Sequence, residues 1–124
     1  MNVKYFNGDV SKLNQIKFLS KIKVDYVINC GGYVDHSNKK KTFNTHVNGC
    51  KNLVKIFMNK KIKTFVQIGS STEYGSVKSP QVENKRAKPT GSYGKNKLMA
   101  NKFLQNLKIF FPYIIIRPYQ IYGS

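Results

Sequence analysis

The chain has 124 residues, with 22 Lys+Arg against 5 Asp+Glu for a formal net charge of +17, 40% hydrophobic residues and two cysteines. That size supplies one core and leaves no room for a second folded unit, so residues 1–124 read as a single domain. No apolar run approaches the ~20 residues of a membrane span, no leader pattern follows Met1, and Cys30 and Cys50 make no disulfide framework, so a cytoplasmic protein is expected.

Val3 to Phe6 is a short β-branched and aromatic run that predicts a strand, and Ser11 to Ile22 predicts a helix. Tyr26 to Cys30 predicts a second strand, Lys40 to Asn59 a long helix and Thr64 to Ile68 a third strand. A loop rich in Ser, Pro and Gly follows from Gly69 to Ser92, then a helix from Tyr93 to Phe110 and a last strand from Tyr113 to Arg117. The clusters Lys39-Lys40-Lys41 and Lys60-Lys61 read as solvated helix ends. In the second helix Val47, Cys50, Val54, Phe57 and Met58 share one face of a 3.6-residue period, as do Ala100, Phe103, Leu104 and Leu107 in the third. Strands that are near-continuous apolar runs suit a parallel sheet covered on both faces. The order β-α-β-α-β-α-β therefore predicts a doubly wound α/β domain with helices on both faces. The first ~20 residues are expected to be the least fixed.

The charge does not by itself name a partner. All cations but Arg86 and Arg117 are Lys, dispersed along the chain, whereas nucleic-acid readers concentrate charge and favour Arg. With 13 Asn and 11 Ile beside them, a general residue bias accounts for the lysines, and nucleic-acid binding is disfavoured. Cys30, His36, His46 and Cys50 lack the spacing of a tight zinc site, so no metal is assigned. The aromatics from Phe110 to Tyr122 surround an apolar strand and read as core rather than as a base-stacking platform.

Two segments carry chemistry. Ser70 and Ser71, in the run Gly69 to Gly75, directly follow a strand, at the carboxyl end where open parallel sheets hold ligands. Tyr93 and Lys97 open the next helix, four residues apart and on one face. An ammonium beside a phenol favours the phenolate, so this pair suits proton exchange with a substrate hydroxyl that a serine also contacts.

These segments, with Gly8-Asp9-Val10, Cys30-Gly31-Gly32, Gly49-Cys50-Lys51-Asn52-Leu53 and Arg117 to Gly123, resemble the extended short-chain dehydrogenase/reductase family. Its members are NAD-dependent sugar-nucleotide epimerases and dehydratases. The resemblance covers almost the whole chain, with the motifs in the family's order. It implies a Rossmann-type sheet whose strands resemble the third to sixth of the family, NAD or NADP as cofactor, a nucleotide-sugar substrate and a homodimer formed through the two longer helices. It also implies roles. Tyr93 is the acid/base, Lys97 holds the nicotinamide ribose and tunes Tyr93, and Ser70 orients the substrate oxygen, with Ser71 as the alternative if the loop slips by one. Asp9 and Val10 meet the adenine, Cys30, Gly31 and Gly32 form the small-residue turn against the cofactor, and Pro118 lies near the carboxamide.

The chain departs from the family in places. His46 stands where many relatives carry Asn, and Asn96 precedes the lysine where Ser or Thr is common. The two positions after Ser70 lack the Asp and Glu of the dehydratases, which favours epimerase or reductase chemistry. No Gly-x-x-Gly-x-x-Gly opens the chain and it stops before a substrate lobe, so it reads as an interior fragment with weak or no activity alone. The alternative function is a non-catalytic Rossmann-like binding or assembly module, and behind it a basic nucleic-acid-binding domain.

Overall fold

The computed structural model describes residues 3–33, 35 and 37–122; Gly123, which closes the last motif, and His36 lie outside the described residues. Helix α1 spans Leu13–Ile16 and continues as a 3-10 turn over Lys17–Lys21. Strand β1 is Tyr26–Asn29. Helix α2 (Lys39–Phe43), a π-helical turn (Asn44–Asn48) and helix α3 (Gly49–Phe57) then run on without a break. Strand β2 is Thr64–Ile68, a 3-10 turn covers Ser71–Glu73, helix α4 is Ser92–Gln105 and strand β3 is Tyr113–Ile116.

Local chemistry sets several of these limits. Asn38 caps α2 by accepting a 3.0 Å hydrogen bond from the Lys41 backbone N–H. Helix α4 stops at Gln105, short of the expected Phe110, because Asn106 leaves helical geometry at ψ 7° and Pro112 bars helix at the residue before it. Lys60 is not simply a solvated helix end. Its ammonium donates to the carbonyls of Ser20 at 2.5 Å and Ile22 at 2.7 Å, satisfying groups left open where the first helical segment ends.

The strands form one parallel sheet in the order β1-β2-β3, with Ile28 opposite Val66 and Val66 opposite Ile114. This is the parallel α/β arrangement that the sequence predicts. Val3 to Phe6 is a correction: it forms no strand, Val3, Tyr5 and Phe6 are exposed, and Phe6 rests on the ring of Phe18. A four-residue run is a strand only with a ladder partner, and none stands beside it among the described residues.

Coverage of the sheet is a second correction. Phe65 is fully buried in a core with Cys50, Leu53, Val54 and Phe57 of α3 and Ala100 and Leu104 of α4, while Val27, Tyr113 and Ile115 pack at its edge. Burying a side chain of this kind contributes roughly 2–3 kcal/mol. On the opposite face Tyr26, Ile28, Ile114 and Ile116 are exposed. The strand order explains why: successive right-handed crossovers that step in one direction lay their helices on the same face. Among the described residues the helices thus cover one face of the sheet, not both. The aromatic tail divides likewise, since Phe111 is buried against Phe65 whereas Phe110, Tyr119 and Tyr122 are exposed.

Candidate functional site

Along the covered face the sheet changes character toward its carboxyl ends. Val27 and Phe65 give way to Asn29 and Gln67, whose amides meet in a buried 2.8 Å hydrogen bond from Asn29 Nδ2 to Gln67 Oε1. Asn29 Oδ1 in turn accepts from the Gly31 N–H at 3.0 Å, which bends the chain into Gly31-Gly32. Polar groups buried in this way are tolerated because each has a partner.

Two cavities open at this end. The first, about 540 Å³, is lined by Asp9, Val10, Gly31 and Gly32 with Tyr33, Lys41 and others. The second, about 800 Å³, is lined by Cys30, Gly32, Ser70, Tyr93, Lys97 and Pro118 with Tyr33, His46 and others. Gly32 and Tyr33 border both, so the cavities adjoin. Of the sequence-derived residues, Ser71 alone lines neither. Its backbone N–H instead donates to the Pro118 carbonyl at 3.1 Å, tying the end of β2 to the end of β3.

The first cavity depends on the Gly49 to Leu53 motif. Asn52 Nδ2 donates to the Val10 carbonyl at 2.9 Å, and a Cβ at Gly49 would come within 2.8 Å of the Val10 side chain, so the motif seats the Asp9-Val10 turn directly on α3. That turn is itself closed by Asp9 Oδ1, which accepts from the backbone N–H of Ser11 at 2.9 Å and from its hydroxyl at 2.8 Å. The hydroxyl bond is the largest cause holding the Asp9 carboxyl below its ordinary value, and the backbone N–H adds to it.

In the second cavity α4 presents Tyr93 from its first turn and Lys97 one turn on. Lys97 Nζ donates to the Ile68 carbonyl at 2.9 Å and lies 5.7 Å from the centre of the Tyr93 ring. Burial pulls the Lys97 ammonium below its ordinary range, with the negative charge of Glu73 opposing. Ser70 Oγ accepts from Thr72 N–H at 3.2 Å and from Thr72 Oγ1 at 2.8 Å, which leaves its own proton as the donor it can offer.

Three residues not assigned a role from sequence also belong here. His46, buried on the π-helical turn, meets the Tyr93 ring edge-on with ring centres 5.2 Å apart. Such turns break the i,i+4 ladder and recur at functional sites. Tyr33 follows the Gly31-Gly32 pair and Tyr119 follows Pro118; both line the cavity. Cys50 faces away into the core, where burial pushes its thiol up to about 12. Among the described residues no group of three or more His, Cys, Asp or Glu could hold a metal ion, and no helix is long and apolar enough to cross a membrane.

A family model described as the NAD dependent epimerase/dehydratase family matches residues 2–124. The chain belongs to this family. Among solved structures it is similar to UDP-glucose 4-epimerase from Bifidobacterium longum in complex with NAD+ and UDP, with 20% identity and a TM-score of 0.83, over 94% of this chain and 38% of that one. It is similar to RMD from Pseudomonas aeruginosa complexed with NADPH, with 22% identity and a TM-score of 0.81, over 96% and 43%. It is similar to ADP-L-glycero-D-manno-heptose-6-epimerase from Helicobacter pylori, with 26% identity and a TM-score of 0.72, over 79% and 32%. The chain thus spans between 32% and 43% of the length of these structures. Among curated proteins none matches it.

Proposed function

We propose that this chain carries the catalytic residues and much of the cofactor site of a NAD(P)-dependent oxidoreductase of the epimerase/dehydratase type acting on a nucleotide sugar. The observation that carries the reading is the convergence of Tyr93, Lys97, Ser70 and Pro118 on one cavity of about 800 Å³. The adjoining cavity offers the Asp9 carboxylate and the Gly31-Gly32 backbone, groups that suit the hydroxyl and amine donors of an adenosine. A carboxylate at one end and an ammonium with hydroxyls at the other fit a dinucleotide. NAD and NADPH in structures of similar fold agree with that fit, and UDP in one of them agrees with a nucleotide-sugar substrate.

A bound nicotinamide would supply hydride acceptance and return. The chain's own part is proton transfer and orientation. Tyr93 Oη takes the proton of a substrate hydroxyl as that carbon is oxidised and gives it back on reduction. Lys97, pinned by the Ile68 carbonyl, keeps a positive charge beside the phenol and would hold the ribose of a bound nicotinamide nucleotide. Ser70 donates its remaining hydrogen to the same substrate oxygen, and Pro118 would help to hold the nicotinamide. Asp9, Val10, Cys30, Gly31 and Gly32 would hold the rest of the cofactor.

Elimination of water needs a further acid/base pair. No carboxylate lines the second cavity among the described residues, and Glu73 is turned into the protein, which supports epimerase or reductase over dehydratase chemistry. Self-association through α3 and α4 belongs to the same reading. The test is turnover of nucleotide sugars with NAD or NADP by the chain and its Tyr93→Phe variant. Loss of a measurable turnover by about 100-fold or more with the fold intact supports the proposal, and an equal, measurable turnover by both chains overturns it.

A further inference from the structure

Among the described residues Glu73 is the only buried acid; Asp9, Asp25, Asp35 and Glu83 are all exposed. Its carboxylate accepts four hydrogen bonds from three segments. Oε1 takes the Ser70 backbone N–H at 2.8 Å and Asn101 Nδ2 at 2.8 Å, and Oε2 takes Asn101 Nδ2 at 2.7 Å and Arg117 Nε at 2.8 Å. Arg117 is itself largely buried, with its guanidinium 5.3 Å from the centre of the Tyr74 ring. Space for the carboxylate is reserved at Gly69, where a Cβ would stand 2.4 Å from Oε1 and 2.9 Å from Asn101 Nδ2.

Each of these anchors adjoins a residue of the candidate site. Ser70 is itself one, Asn101 lies one turn beyond Lys97 on the same face of α4, and Arg117 immediately precedes Pro118. A single carboxylate therefore ties together the end of β2, the helix that carries the Tyr-Lys pair and the end of β3.

We infer that Glu73 is the positioning residue of this site, setting Ser70, Lys97 and Pro118 against one another through Asn101 and Arg117 without entering the cavity. The inference rests on the reading under Proposed function. Its charge also reaches Lys97, which it helps to keep protonated. The other groups facing Lys97 are Cys30 from the end of β1, Cys50 from α3, and Tyr93 from its own helix, backed by His46 from the π-helical turn.

The experiment follows the carbon-13 resonance of the Lys97 side chain through a pH titration of the full chain, which requires neither cofactor nor turnover. Three variants are compared: Glu73→Gln, Asn101→Ala and, as a core control away from the network, Phe57→Leu. Glu73→Gln is expected to move the Lys97 midpoint further below those of the exposed lysines. Asn101→Ala is expected to move the Lys97 resonance toward theirs, and Phe57→Leu to leave both in place. Unchanged Lys97 behaviour in Glu73→Gln and Asn101→Ala overturns the inference, as does an equal change in Phe57→Leu. If Glu73→Gln fails to fold, Asn101→Ala against Phe57→Leu decides. Where the wild-type chain turns over, Glu73→Gln is expected to lower kcat tenfold or more with KM nearly unchanged. A wild type without turnover, as expected of a fragment, leaves the Lys97 titration to judge Glu73.

Discussion

The Lys97 ammonium donates to the carbonyl of Ile68, the last residue of β2, at 2.9 Å. One hydrogen bond thus fixes the α4 pair against the strand end that carries Ser70. It also explains why a lysine is buried here, since a desolvated ammonium needs an acceptor.

Replacing this lysine separates stability from chemistry. Lys97→Met removes a charge that burial disfavours and one of two donors to the Ile68 carbonyl, which keeps Gln67 Nε2 at 3.3 Å, so folding stability is expected to change by no more than about 1 kcal/mol. Turnover is expected to fall by about 100-fold or more. Because burial lowers the Lys97 pKa in the folded chain, the unfolded chain binds more protons between the folded value and the ordinary 10.5. Wild type is therefore expected to gain on Lys97→Met as pH rises through that window. Thermal melts across pH, paired with rate measurements, check both halves.

The Asp9 turn gives a slope of the same sign at the acid end of the pH range. Its folded pKa is lowered from 3.8, chiefly by the Ser11 hydroxyl and backbone N–H, so its contribution is complete above the unfolded value and is lost as pH falls through the folded one. Asp9→Asn is expected to flatten this acid limb. Following the Ser11 amide resonance against pH in both chains checks it.

Asn52 carries the first cavity by a single contact. Asn52→Ala is expected to cost about 1 kcal/mol and to weaken cofactor binding while sparing the geometry of Tyr93 and Lys97. Calorimetric melting together with nucleotide titration separates the two effects.

The uncovered sheet face should behave as surface. Ile28 and Ile114 are 63% and 53% exposed, so changing either to Lys is expected to shift stability by no more than about 0.5 kcal/mol. The same changes are expected to reduce non-specific aggregation at high concentration, because they break up exposed apolar surface, and to leave any association through α3 and α4 in place. Sedimentation of the variants against wild type tests this.

What the sequence made legible was local. Tyr93 and Lys97 meet because four residues are one helical turn, and β2 with its hydroxyl-rich end was readable from the apolar run Thr64 to Ile68. Ser70 and Ser71 could not be separated from sequence, because only the packing of Ser71 N–H on Pro118 turns one away from the cavity. Glu73 and Arg117 are 44 residues apart, and nothing in either segment announces their 2.8 Å pairing. The burial of one sheet face rather than two depends on the order in which strands step across the sheet, which apolar content does not encode. Val3 to Phe6 has the composition of a strand, but composition supplies no ladder partner.

The most direct test is a titration of NAD and NADP into isotope-labelled chain, read by amide chemical shifts, which registers weak as well as tight binding. Saturable shifts gathered at Asp9, Gly31, Gly32, Ser70 and Tyr93 are expected for at least one nucleotide. Absence of shifts at millimolar nucleotide would contradict a cofactor site in these cavities, as would shifts scattered over the exposed lysines that vanish with added salt.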